Sequence, residues 1–399
     1  MMLSVCWRPS LTPADLAPEA YADLLARLPQ ATPFNRLAWL QGAATALPAG
    51  ADLQVLQVWR AERLLACLPL VRQRERRLGL GWTTLRHLGY PLGDRLALAL
   101  DPAQPDLAER VYQEIADRLP HVLLELDELT EQDQWILERW RPLAAQARLR
   151  VNCRVPCHQI EPADAEEPAA PLRHELRRAR RRCAEREAVV QRLAPTAEDW
   201  PSLAVRLQAL EALSWKGSEG VGIFSGARRQ RWMQVALQGL AAEDGLRVVL
   251  LEHQGVCLSY RLGLLQGGRL YDYNIAFHPD HAALGSGRLL LDEWLRWGLE
   301  AGWEWIDASR VSLHNSSHQL HERQTDSLTH WRWSLYSRSP QGRLLALLAG
   351  AWQLFKQGRE RLRSRKAPGP ECATPSSTPT TSACRRKRTG SSWPPSRGA

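Results

Sequence analysis

Long apolar runs are missing from this chain. The longest one near the C-terminus, Leu344 to Trp352, is far shorter than the ~20 residues a helix needs to span a bilayer. Met1 to Pro18 also lacks the basic start and apolar core of a secretory leader, so a cytoplasmic protein is expected. Paired C-x-x-C motifs are absent: the eight cysteines fall at positions 6, 67, 153, 157, 183, 257, 372 and 384. Lacking a secretion signal, they give no disulfide framework. Cys153, Cys157 and His158 have no second ligand pair at zinc spacing and read as part of a half-buried strand. His314, His318 and His321 lie in a polar context that does not suit a metal, so none is expected. A general nucleic-acid surface is not called for either. The net charge is +9, but residues 356 to 399 hold eleven Lys/Arg against two Asp/Glu, which leaves 41 of each sign elsewhere.

What is present suits a soluble α/β protein. The 399 residues are 44% hydrophobic and 24% charged, enough for two domains with separate cores. In the first half, the periodicity predicts helices over 13–27, 36–47, 106–119 and 133–147, and strands over 54–59, 64–71, 95–100, 122–126 and 149–160. Residues 161–170, EPADAEEPAA, read as a linker between an N-terminal lobe (1–160) and a C-terminal lobe (171–365). The remainder, 366–399, is rich in Ser, Thr, Pro and basic clusters such as Arg385-Arg386-Lys387-Arg388, and disorder is expected there. That cluster suits RNA or an anionic membrane, or it belongs to a passive tail.

The most informative stretch is 246–309. Three strands, LRVVLLEHQ, CLSYRLGLL and GRLYDYNIAF, are separated by turn signals and predict an antiparallel meander. Leu284-Gly285-Ser286-Gly287-Arg288 then turns into an amphipathic helix carrying Leu289, Leu290, Trp294 and Leu299. A helix N-terminus offers unpaired N–H groups and partial positive charge, which suits an anion such as a pyrophosphate. Gly285 and Gly287 allow close backbone approach, and Arg288 adds a cation. The equivalent part of the first half has no Gly-x-Gly loop. A helix over 172–186 carries seven arginines, including Arg177 and Arg181. It reads either as a phosphate clamp or as a solvated face offset by Glu175, Glu185 and Glu187.

The order of strands, phosphate loop, helix and strand resembles the GNAT acyltransferase fold. Further segments resemble its CelD/BcsL-like subgroup, whose double-GNAT architecture is similar to that of the FemAB peptidoglycan aminoacyltransferases. The matching residues are Thr32-Pro33-Phe34 with Trp39-Leu40, the basic run Leu176 to Arg182, Ser214-Trp215-Lys216-Gly217, Ala283 to Gly287, and Gly302 to Asp307. One departure follows Asp307: the family's usual lysine is missing from Ala308 to Asn315. The resemblance implies two GNAT-like lobes with mixed, mostly antiparallel sheets flanked by helices. It also implies an enzyme that moves an acetyl or other acyl group from acyl-CoA to an amine or hydroxyl of a sugar or nucleotide-linked sugar, in polysaccharide or envelope metabolism. A FemAB-like aminoacyl-tRNA-dependent transferase and an inactive scaffold in a polysaccharide-synthesis complex are the alternatives.

Under that reading Leu284, Gly285, Ser286, Gly287 and Arg288 hold the donor. The candidate bases are Asp307, at the end of an aromatic strand, Asp272 between two tyrosines, Glu211 and His278. His314 is a further candidate. Trp215 and Lys216, with Arg177 and Arg181, are the candidate acceptor contacts. By strand alternation, Asp272 is expected to point away from Tyr271 and Tyr273.

Overall fold

The computed structural model describes residues 3–77, 79–166, 168–308 and 326–366. The first half contains β1 (Leu3–Arg8), α1 (Pro18–Ala26), α2 (Leu37–Ala44), β2 (Asp52–Arg60), β3 (Arg63–Arg77), β4 (Leu80–His87), β5 (Ala99–Leu100), α3 (Leu107–Arg118), β6 (Leu123–Leu129), α4 (Gln134–Trp140) and β7 (Gln146–Gln159). In the second half are α5 (Ala170–Glu185), β8 (Val189–Leu193), α6 (Trp200–Leu213), α7 (Trp215–Glu219), α8 (Gly226–Ala242), β9 (Leu246–His253), β10 (Val256–Gln266), β11 (Arg269–Phe277), α9 (Ser286–Ala301), β12 (Trp305–Asp307), β13 (Asp326–Tyr336) and α10 (Pro340–Lys366).

These elements build one 13-stranded sheet in the order β1-β2-β3-β4-β6-β13-β7-β12-β11-β10-β9-β8, with β5 beside β3. Each half makes the same pattern. In the first, antiparallel neighbours β1 to β4 lead through α3 to β6, which lies parallel to β4; in the second, antiparallel β8 to β11 lead through α9 to β12, parallel to β11. The halves then exchange strands. β13, from the end of the chain, pairs with β6, whereas β7 of the first half pairs with β12 and β13. Mixed strands flanked by helices are thus observed, and the repeat is one of topology.

The cores do not follow the expected division. One cluster joins Phe34, Trp39 and Leu40 of the first half to Trp232, Met233, Tyr271 and Tyr273 of the second. Within it Phe34 meets Trp39 edge-on with centroids 4.9 Å apart, and Trp39 meets Tyr273 at 5.3 Å. A second cluster fills the first half but includes Trp333 and Leu335 of β13; the third lies under α9. Residues up to Leu348 form one compact unit, and a second begins at Ala349.

Several elements differ from expectation for identifiable reasons. The strand expected over 95–100 shrinks to β5 because the backbone of Arg95, Ala97 and Leu98 bonds to the side chains of Thr32, Asn35 and Asp133 instead. The helix expected over 133–147 stops at Trp140, ahead of Pro142, and Gln146 already pairs with Tyr336. β1 was not expected although Leu3, Val5 and Trp7 alternate along it and pack on the core, a signal only six residues long; β4, LGWTTLRH, has no strong apolar alternation and was not expected either. Part of the linker is a short helical turn, Pro162–Ala165, in which the Asp164 carboxylate bonds His158 Nε2 at 2.8 Å and accepts the Glu161 N–H at 2.9 Å. The expected tail, apart from Lys366, and His314, His318 and His321 lie outside the described residues.

Candidate active site

The parallel contact between β11 and β12 is brief. Arg269, Leu270 and Tyr271 pair with Trp305, Ile306 and Asp307, and β11 then runs on to Phe277 beyond the last pair. Against β10, the register jumps so that Tyr273 is an extra residue between the Leu262–Asn274 and Gly263–Asp272 pairs. Such a bulge bends a strand and increases its twist. Beyond that last pair β11 has no further partner on this side among the described residues, and after a short turn the chain leaving it enters α9.

Between them, Pro279–Leu284 makes a short helical turn that Gly285 closes at φ +71°, a left-handed conformation costly for any residue with a Cβ. α9 begins at Ser286, within the expected turn, and no side chain caps it. Ser286 is buried and Gly285 exposed. The first amides of α9 therefore present donors and positive potential beside an open backbone position, the arrangement that receives an anion. Arg288 is already engaged by Glu175 of α5, so its charge is shared with that helix.

Asp272 points away from Tyr271 and Tyr273, as alternation requires, and is fully buried beneath α9. It pairs with Arg261, and Trp294 Nε1 lies 3.4 Å from its other oxygen. Arg261 also donates through Nε at 3.2 Å and a terminal nitrogen at 3.1 Å to the Gly287 carbonyl. Burial raises the Asp272 pKa against the pull of Arg261. This pair clasps the first turn of α9.

Glu211 is buried at the end of α6. Its carboxylate accepts the Phe224 N–H and the Asn274 amide, each at 2.8 Å. Asn274 also donates to the Tyr260 hydroxyl at 2.9 Å, while its carbonyl oxygen accepts from Lys216 Nζ. α7 places Lys216 here, its first turn capped by Ser214 Oγ accepting the Lys216 N–H. Burial lowers the Lys216 pKa, opposed by the nearby charges of Glu211, Asp272 and Asp94. Trp215 is half exposed, its ring centroid 6.0 Å from Lys216 Nζ.

Asp307, at the end of β12, is 0% exposed and held by a two-pronged contact from Arg95, with Nε to Oδ2 at 3.0 Å. Arg95 also donates to the Ala308 carbonyl at 2.7 Å. Burial pushes the Asp307 carboxyl up to about 6, opposed by Arg95 and reinforced by Asp94 and Asp272. The Thr32-Pro33-Phe34 segment explains how Arg95 reaches it from the other half. Thr32 Oγ1 donates to the Arg95 carbonyl at 2.6 Å, Asn35 donates to the Ala97 carbonyl at 2.7 Å, and Tyr273 donates to the Leu92 carbonyl at 3.1 Å. A cavity of about 580 Å³ opens at this point, lined among others by Thr32, Arg95, Tyr271, Trp305, Asp307 and His330.

The structure thus gathers Glu211, Lys216 and Asp272 around Asn274, Tyr260 and Arg261, and joins Asp307 to Arg95. His278 lies outside this group: its ring accepts the Asp280 N–H at 3.3 Å and packs against His281. α5 lies across the start of α9. Arg182 donates to the Ala283 carbonyl at 2.5 Å, Arg180 pairs with Asp292, and Arg186 contacts His281. Arg177, Arg178 and Arg181 are exposed, with Arg181 paired to Glu185 at 3.5 Å. Sequence reasoning missed Arg95, Arg261 and Asn274. A signal existed for Arg261, a lone cation in the apolar strand CLSYRLGLL, where burial demands a partner; Arg95 had none.

The family model for an acetyltransferase (GNAT) domain matches residues 170–314, about a third of the chain. No curated protein matches in sequence. Among solved structures, FemX is similar at 10% identity and a TM-score of 0.56, over 86% of this chain and 99% of its own. L-PGS from Bacillus licheniformis is similar at 11% identity and a TM-score of 0.52, over 83% and 95%. A conserved protein of unknown function from Bacteroides thetaiotaomicron VPI-5482 is similar at 11% identity and a TM-score of 0.51, over 83% and 100%. At such identities these three likenesses concern the fold. The matched segment contains β11, the Gly285 turn and α9, and the acetyltransferase (GNAT) domain match over 170–314 makes this chain a transferase.

Proposed function

We propose that this transferase takes an acyl group from an acyl-CoA such as acetyl-CoA and delivers it to an amine or hydroxyl of a sugar or nucleotide-linked sugar. One observation carries the donor assignment: the uncapped, glycine-flanked start of α9 follows the end of β11, the strand that runs on past its last pair with β12. Residues Leu284 to Arg288 receive the pyrophosphate, and the thioester lies along the end of β11. The backbone of Ile275 to Phe277 supplies N–H groups toward the thioester carbonyl, where negative charge develops as the acceptor attacks. The acceptor atom bonds to that carbonyl carbon and gives up its proton, the C–S bond breaks, and a proton is taken up by the departing sulfur, so that coenzyme A leaves as the thiol.

On the acceptor side, Lys216 is held by Asn274 on the part of β11 that extends past β12. We assign it the acceptor contact, with Trp215 as the adjoining apolar wall. Asp307 and Asp272 have arginines on their carboxylates, so their role in this reading is to position Arg95 and the α9 turn. The cavity at Arg95 and Asp307, bordered by Trp305 and Tyr271, offers aromatic and polar surface suited to a sugar.

A second reading is favoured by α5. An arginine-bearing helix lying on the donor turn, with Arg177, Arg178 and Arg181 exposed, also suits the phosphates of a charged tRNA. Calorimetric titration of the full chain with acetyl-CoA and free coenzyme A tests the primary reading. Saturable binding that disappears in a Gly285→Val/Gly287→Val variant, with circular dichroism unchanged, is expected. Absence of coenzyme A binding alongside salt-sensitive tRNA binding would transfer the assignment to the second reading.

A further inference from the structure

Helix α10 leaves an apolar side exposed. Leu344, Leu347, Leu348, Trp352, Leu354 and Phe355 recur at spacings of three and four on one side of the helix. Leu347 and Leu354 are 71% exposed, Trp352 57% and Phe355 54%. Such a side in water needs a partner.

Charge identifies the partner. Over 340–366 the helix carries seven basic residues, Arg343, Lys356, Arg359, Arg361, Arg363, Arg365 and Lys366, against the single acid Glu360. Lys356 lies 5.8 Å from the Trp352 ring and Arg359 5.9 Å from that of Phe355, so cations flank the apolar surface one turn away. A second copy of the helix would set like charges together. The chain beyond it, with Arg385 to Arg388 and Arg397 against Glu371, has the same sign and is a poor occupant. RNA would satisfy the charge and leave the leucines wet. No described helix is long and apolar enough to cross a membrane, and exposed apolar side chains that include a tryptophan, with cations one turn away, suit the headgroup level of an anionic bilayer.

We propose that α10 is a docking surface for an anionic lipid bilayer, with Leu347, Leu354, Phe355 and Trp352 entering the acyl boundary and Lys356 and Arg359 meeting headgroup phosphates. This is independent of which acceptor the enzyme uses.

The test is cosedimentation of the full chain with phosphatidylcholine vesicles and with vesicles of equal parts phosphatidylcholine and phosphatidylglycerol. Binding to the mixed vesicles, weakened by salt, is expected, with little binding to phosphatidylcholine alone. Leu354→Glu/Phe355→Glu and Lys356→Glu/Arg359→Glu should each lower the partition coefficient about tenfold or more while leaving coenzyme A binding intact. Equal binding by the variants would place any attachment on another segment and overturn the proposal. So would equal binding to both vesicle types, no binding to either, RNA binding lost in the same variants, or a dimer in light scattering that Leu354→Glu/Phe355→Glu dissociates.

Discussion

Asp307 shows how far a single residue can be read from sequence. Its place at the end of an aromatic strand marks it as a candidate, but its partner comes from 212 positions away, in a loop with no motif of its own. The two-pronged contact with Arg95 makes it a link between the halves. Asp307→Ala should destabilise the protein by about 3–5 kcal/mol at neutral pH, because Arg95 would stay buried without its counter-charge. Urea unfolding would measure this, and a loss below about 1 kcal/mol would show that Arg95 finds water or another carboxylate. The same residue has a pH signature. Its folded-state pKa is raised from 3.8 to about 6, so the folded protein binds this proton more tightly than the unfolded chain does. The contribution is fully present below pH 3.8 and is lost as pH rises toward about 6. Relative to Asp307→Asn, the wild type should therefore lose stability with rising pH across that window and run parallel to it above. Asp272 and Glu211 were equally visible as carboxylates near the site, but their engagement by Arg261 and by Asn274 depends on strand register, which residue type does not encode.

Among the elements, the meander β9 to β11 and helix α9 were legible because local signals agreed: alternation, turn residues and an apolar face all favoured the same structure. β4 was not, since its stability comes from neighbours in the sheet rather than from its own patterning, and β1 was not expected although Leu3, Val5 and Trp7 alternate along its six residues. The α9 turn combines both cases. Its glycines announce it, but Arg261 on β10 holds it by bonding the Gly287 carbonyl. Arg261→Lys keeps the charge opposite Asp272 and removes the planar fork. Stability should fall by only about 1 kcal/mol, the scale of a hydrogen bond, whereas donor affinity should weaken several-fold with the acceptor KM unchanged. Unchanged calorimetric affinity for coenzyme A would mean that the turn holds its shape without the clasp.

The repeat of two similar halves was expected for the whole molecule, but the exchange of strands between them was not, and this changes what a lobe means here. β13 and β7 lie beside each other at the centre of the sheet, and each also pairs with a strand of the opposite half. The cluster around Phe34 and Trp39 is completed by Tyr271 and Tyr273, and the core of the first half by Trp333 and Leu335. A fragment ending at residue 160 would therefore expose Leu124 and Leu126 on a strand edge deprived of β13, an edge prone to aggregation. Its complement from 161 onward would lose the β7 partner of both β12 and β13. We expect neither fragment to fold alone, and the two to recover coenzyme A binding when refolded together. Thermal unfolding of the intact chain should likewise show one cooperative transition for the body of the protein, with near-UV and far-UV signals coincident. A soluble, cooperatively unfolding 1–160 fragment, or two resolved transitions in the intact chain, would establish that the lobes are independent and that the exchanged strands only decorate them.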